Sequence, residues 1–245
     1  MTNSELSQQD LGKKAAGDRA VEDLVKPGMA LGLGTGSTAF WAIKKAGELF
    51  RAGHLPNLLV VPTSFDTELL CQHEGLPVRT LGDPAIDGVL DLYLDGADEI
   101  DPDLNCIKGG GAAQLQEKIV CSASRKFVLI ADETKAVPHL GTKFPVPVEI
   151  HSLARIPVIR ACEALGAVAT LRYGKGKMGP VITDNGHFIL DLVFSQPVDS
   201  TLMERQLKLI AGVLEVGLFP GRASMAYLGQ ADGTCRILRS PQSHE

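Results

Sequence analysis

Short apolar runs alternate with helix-like stretches along the first 135 residues. The runs at 29–33, 58–62 (LLVVP), 76–81, 89–94 (VLDLYL) and 126–131 (KFVLIA) read as strands. A helix is expected over 5–25, with Leu6, Leu11, Ala15, Leu24 and Val25 among its apolar positions and Pro27-Gly28 as its stop. Further helices are expected from the GLGTGST segment to about Arg51, over 65–74 before Gly75, and over 112–123. Strands alternating with helices imply a mostly parallel, Rossmann-like sheet with helices on both faces.

The rhythm changes after Gly141. A strand at 146–150, a helix at 152–165 with Pro157 marking its first turn, and a strand at 167–173 come first. A glycine- and lysine-rich loop (GKGKMG) follows, then strands at 181–183 and 187–194 flanking the hairpin signal Asn185-Gly186. A helix at 199–211 and a strand at 213–218 complete a βαββαβ order, that of a ferredoxin-like α+β domain. Segments 225–229 and 234–239, around Asp232-Gly233, read as a hairpin returning to the first sheet. The expected division is an α/β catalytic domain of residues 1–140 and 217–245 and a smaller domain of 141–216, serving oligomerisation and as a site lid.

The composition, 44% hydrophobic and 22% charged, is that of a globular chain. A net charge of −5 argues against a nucleic-acid partner, so an anionic ligand needs a local cluster of donors. Five scattered cysteines without a CxxC pair point to a reducing compartment. The polar start (MTNSELSQQD) shows no signal peptide, and no apolar run approaches the ~18 residues of a membrane helix. A cytoplasmic location without membrane attachment is expected.

The chemistry concentrates in LDGADEIDPDLNCIKGGGAAQLQEK, residues 94–118. Asp95, Gly96, Ala97 and Asp98 follow a strand, and Lys108, Gly109, Gly110 and Gly111 open a helix that carries Glu117. Ligands of open α/β sheets bind at the carboxyl ends of strands, and successive glycines let backbone N–H groups converge on an anion. Glu117 alone would read as a surface glutamate; the preceding KGGG loop makes it a site candidate. A second candidate is Thr35, Gly36, Ser37 and Thr38, a glycine-rich strand-to-helix turn offering N–H and hydroxyl donors to a phosphate. It fails the dinucleotide fingerprint at Ser37 and lacks the GK[ST] of a P-loop, so a small phosphate suits it better. Lys135, at another strand end, is open between a surface lysine and a site lysine. The run Asp98, Asp101, Asp103, Asn105 fails the EF-hand pattern at Cys106 and Ala112, leaving Asp101 and Asp103 as a solvated turn. The six histidines form no HxH, HxxxH or HExxH pair, so no metal site is expected, and no G-x-S-x-G elbow supports a serine hydrolase.

Taken in order, GLGTGST, DGADE, KGGGAA with QEK, ADETK, FPVPVE and TDNG resemble ribose-5-phosphate isomerase of type A. The resemblance implies interconversion of ribose 5-phosphate and ribulose 5-phosphate in the pentose phosphate pathway. It also implies a homo-oligomer (dimer or tetramer), a sugar-phosphate substrate and no cofactor. It places substrate contacts on residues 35–38, 95–98 and 108–111, the proton-transferring glutamate on Glu117 and a substrate-binding lysine on Lys135. One carboxylate can move a proton between adjacent carbons through an enediolate, with Lys108 and the glycine N–H groups stabilising the oxyanion. Asp95 and Asp98 are left for ring opening or for the hydroxyl proton. Two rivals are a sugar-phosphate sensor, which would lack need of Glu117, and a coenzyme A transferase-like enzyme acting through a covalent acyl intermediate.

Overall fold

A computed structural model describes residues 6–176 and 178–240. Glu5 of the expected first helix, Lys177 of GKGKMG and the tail beyond Ser240 lie outside the described residues. In chain order the elements are α1 (Gln8–Leu24), β1 (Ala30–Leu33), α2 (Ser37–Arg51), β2 (Leu59–Pro62), α3 (Phe65–His73), β3 (Leu92–Asp95), β4 (Glu99–Ile100) and β5 (Cys106–Ile107). There follow α4 (Gln114–Ala123), β6 (Phe127–Asp132), β7 (Val146–Ile150), α5 (Arg155–Ala164), β8 (Ala167–Leu171), β9 (Phe188–Phe194), α6 (Ser200–Lys208), β10 (Val213–Val216), β11 (Leu218–Phe219), β12 (Met225–Gly229) and β13 (Cys235–Arg239). No described helix is long and apolar enough to cross a membrane.

The chain forms two compact units. The first runs to Gly96, leaves, and resumes over Ile119–Lys135 and from Ala223 onward; the second holds Ala97–Lys118 and Ala136–Arg222. Residues 97–118, expected in the first domain, thus fall in the second unit, and the crossing lies inside the DGAD motif.

The first unit is built on a six-stranded sheet of order β13-β12-β6-β3-β1-β2. Five of these strands pair in parallel, and β13 closes one edge antiparallel to β12 as the tail hairpin predicts. Every residue of β3 and β6 is buried, which explains why both read as continuous apolar runs. Leu31, Leu33, Leu92, Leu94, Val128 and Ile130 form the centre of the core. The buried face of α1 is Gly12, Ala16, Gly17, Ala20 and Val21, whereas Leu6 and Leu11 are exposed. The small residues bring the helix backbone onto β12: a Cβ on Gly229 would lie 1.8 Å from the carbonyl oxygen of Gly12.

The second unit runs β7-α5-β8-β9-α6-β10, and its sheet has the order β10-β7-β9-β8 with antiparallel neighbours. Val146, Val148, Ile150, Val158, Leu190, Leu192 and Leu207 fill its core. A three-stranded sheet, β11-β5-β4, was not foreseen. Four other expectations need correction. Residues 76–81 form no strand; Val78 makes one parallel bridge to Val60, and Pro77 has no N–H to extend a ladder. Ile182 makes one bridge to Phe188 in place of a strand over 181–183. The strand at 213–218 is broken at Gly217, whose N–H bonds to Pro147 and whose carbonyl accepts from Lys108, so β10 and β11 enter different sheets. The helix expected from 152 begins at Arg155 after a 3₁₀ turn (Ser152–Ala154), while Pro157 lies in its first turn as expected, where a missing N–H costs no helical bond.

Candidate active site

In the first unit, three predicted segments meet at the carboxyl ends of adjacent strands: residues 35–38 after β1, Asp95 ending β3, and Lys135 after β6. The packing is close. A Cβ on Gly34 would fall 1.8 Å from Asp95 Oδ1, so glycine is required there for the carboxylate to occupy its place. Asp95 is fully buried; its oxygens accept from the Tyr93 hydroxyl and, at 2.6 Å, from the Gly96 N–H. Thr35 turns its hydroxyl inward, 2.9 Å from Thr63 Oγ1, 2.8 Å from Ser64 Oγ and 3.1 Å from Thr67 Oγ1. Thr67 in turn donates to the Gly34 carbonyl at 2.9 Å. That network fixes the loop and engages the Thr35 hydroxyl within it.

The next three residues are arranged otherwise. Gly36, at φ 118°, is the N-cap of α2, and no side chain caps that end. Gly36 and Ser37 are exposed and Thr38 is buried. A helix N-terminus of free N–H groups, without an acidic residue in its first turn, stabilises an anion through hydrogen bonds and the helix dipole. Lys135 is half-buried at the end of a 3₁₀ turn, and Asp132 just before it is bonded by Thr134 and Gln9.

In the second unit, Lys108 follows β5 and Glu117 lies in the first turn of α4, nearer the helix start than expected. Both side chains are buried, and Lys108 Nζ stands 3.4 Å from Glu117 Oε1. Between them Gly109 adopts φ 101° and Ala112 φ 60°, a turn in which the Ala112 N–H reaches the Gly109 carbonyl. The Gly110 N–H donates to Asp98 Oδ2 at 2.8 Å. From the other side Arg172 donates to the carbonyls of Gly109 (2.7 Å) and Gly110 (3.1 Å). Lys118 is no surface lysine: its ammonium reaches Glu204, Glu215 and the carbonyls of Val216 and Leu218, and lies over the Phe219 ring. These bonds anchor α4 and turn Glu117 toward Lys108. Lys118 and the adjoining Lys208 hold the Glu215 carboxyl below the ordinary range despite the opposing effect of burial.

A family model for Ribose 5-phosphate isomerase A (phosphoriboisomerase A) matches residues 59–233. The chain belongs to the ribose 5-phosphate isomerase A family. A ribose-5-phosphate isomerase A of Treponema denticola is 46% identical over 219 residues, 89% of this chain and 92% of its own. The solved ribose 5-phosphate isomerase A of Methanocaldococcus jannaschii superposes with a TM-score of 0.87 at 40% identity, covering 94% of this chain and 98% of that one. A D-ribose-5-phosphate isomerase solved in complex with phospho-erythronic acid superposes with a TM-score of 0.88 at 39% identity, over 93% and 97% of the two chains.

Within this isomerase family chain, the predicted residues fall into two sets. Thr35, Gly36, Ser37, Thr38, Asp95, Gly96 and Lys135 belong to the first unit; Ala97, Asp98, Lys108, Gly109, Gly110, Gly111 and Glu117 belong to the second. Glu99, a third acid of the same run, is fully buried and accepts from the N–H groups of Gly141, Lys143 and Phe144, so it braces a loop. Asp101 closes a turn through Asp103 and Asn105, as a solvated turn requires. Arg172 was missed, its one sequence signal being a cation at a strand end. A polar chain from Gln116 through Asn185 to Glu149 and Thr183 was missed as well, although all four of its members lie in the QEK, TDNG and FPVPVE segments.

Proposed function

We propose that the protein interconverts ribose 5-phosphate and ribulose 5-phosphate through an enediolate, with Glu117 as the proton carrier and no cofactor. The isomerase activity itself is that of the family to which the chain belongs. The observation that carries the mechanism is the buried contact of Lys108 with Glu117, a cation held beside a carboxylate next to a turn of glycine N–H groups.

In the open-chain aldose, Glu117 removes the C2 proton, and the electron pair moves through the C1–C2 bond onto O1. Lys108 and the glycine N–H groups stabilise that oxyanion. Glu117 then returns its proton to C1, while the O2 proton passes to O1, leaving the ketone at C2. Asp98 is assigned this second transfer, because Asp95 is fully buried with its oxygens bonded to Tyr93 and Gly96. The α2 N-terminus at Gly36, Ser37 and Thr38 is assigned the phosphate, and Lys135 is assigned to it as well.

We read the first unit as Rossmann-like and the second as ferredoxin-like, its strand order being 4-1-3-2 when β7 to β10 are counted in sequence. The protein is proposed to be a cytoplasmic homo-oligomer, with residues 141–216 serving oligomerisation and, through Arg172, covering the glycine turn. Incubation with ribose 5-phosphate alone tests the reading. Ribulose 5-phosphate is expected, and its formation should persist in EDTA. Activity lost to EDTA and restored by added metal would contradict the cofactor-free scheme.

A further inference from the structure

The glycine turn is held by a residue outside every segment assigned to the reaction. Arg172 follows β8, and its backbone is fixed by Arg172 N–H to Ile189 O and Val181 N–H to Arg172 O, each 2.9 Å. Its guanidinium is divided between two tasks. Nε and Nη2 grip both oxygens of Asp191, and Nη1 donates to the carbonyls of Gly109 and Gly110. Both side chains of this pair are largely withdrawn from solvent, at 13% and 22% exposure, so the fork has little freedom to turn.

The consequence follows from peptide geometry. Among the described residues no peptide bond is cis, so each carbonyl points opposite to the N–H of the next residue. Drawing the Gly109 carbonyl to Arg172 sends the Gly110 N–H the other way, where it meets Asp98. Drawing the Gly110 carbonyl to the same nitrogen turns the Gly111 N–H away from the guanidinium, at a residue that is exposed. A cation on the carbonyl side also polarises each peptide group and strengthens its N–H as a donor.

We propose that Arg172, locked by Asp191, is a positioning residue that orients the Gly109–Gly110 and Gly110–Gly111 peptides so that the Gly111 N–H serves as an oxyanion donor. It rests on the enediolate reading above. Arg172→Met removes both carbonyl contacts; kcat with ribose 5-phosphate should fall about 10²-fold, the usual cost of one oxyanion donor, while KM stays within about threefold. Arg172→Lys reaches one carbonyl and should recover about a tenfold share of that loss. Asp191→Asn keeps the arginine but loosens it, and should lower kcat with KM again unmoved. A loss confined to KM in Arg172→Met overturns the assignment. If that variant does not fold, the other two decide, and a kcat at the parent level in both overturns it. Glu117→Gln is assayed beside them. An inactive Glu117→Gln with unimpaired Arg172 and Asp191 variants retires the positioning role alone, whereas an active one removes the reading beneath it.

Discussion

Lys108 Nζ lies 3.4 Å from Glu117 Oε1, with 2% and 4% of the two side chains exposed. Few proteins keep such a pair for stability, because removing two charges from water costs about as much as their attraction returns. The arrangement makes chemical sense where negative charge must shift from the carboxylate to a substrate oxygen and back. On the proposed enediolate route, the lysine would face a nearly constant charge throughout.

Replacing the cation tests this directly. Lys108→Met should lower kcat about 10²- to 10³-fold, the range for loss of a main oxyanion partner. It should also destabilise the fold by about 3–5 kcal/mol, because the buried Glu117 carboxylate loses the cation beside it. The double variant Lys108→Met/Glu117→Leu should recover most of that stability and none of the activity. Steady-state kinetics and urea unfolding of the three proteins measure both effects.

Gln114 opens α4 in full burial, and neither of its amide atoms has a hydrogen-bond partner among the described residues. An unsatisfied buried amide costs about 1–3 kcal/mol. Gln114→Leu, similar in size, should therefore raise stability by about that amount and Tm by several degrees. An unchanged or lowered Tm would mean that the amide is satisfied in solution.

Two buried glutamates should respond to pH in opposite ways. Burial pushes the Glu149 carboxyl up, against the bonds from Thr183 and Asn185. Its favourable contribution is therefore present below the ordinary glutamate value of ~4.3 and lost as pH rises through the raised one. Glu215 is lowered, so its contribution is present above ~4.3 and lost as pH falls through the lowered value. Relative to the parent, Glu149→Gln should become more favourable as pH rises above ~4.3, and Glu215→Gln should lose its disadvantage as pH falls below ~4.3. Urea unfolding on both sides of that value checks both signs.

The sequence was informative wherever a single local cause decides the outcome. The apolar run of β6 and the hairpin at Asp232-Gly233 read correctly because burial or turn chemistry acts alone there, and the strand expected at 89–94 was right in kind although it spans Leu92–Asp95. It failed where partners come from far along the chain. Leu6 and Leu11 drew attention in the helix expected over 5–25, yet the buried face of α1 is mostly small residues, set by the close approach of Gly229. Glu99 and Lys118 look like surface charges until Gly141 to Phe144 and β10–β11 supply their partners. Arg172 stands 62 residues from Gly110, and no local pattern marks that contact.

The central claim is that Glu117 carries the proton between the two carbons. Glu117→Gln keeps shape and polarity while removing the base. Its turnover of ribose 5-phosphate, measured together with substrate affinity by calorimetry, should fall about 10²- to 10⁴-fold with Kd little changed. Turnover close to that of the parent would contradict the claim.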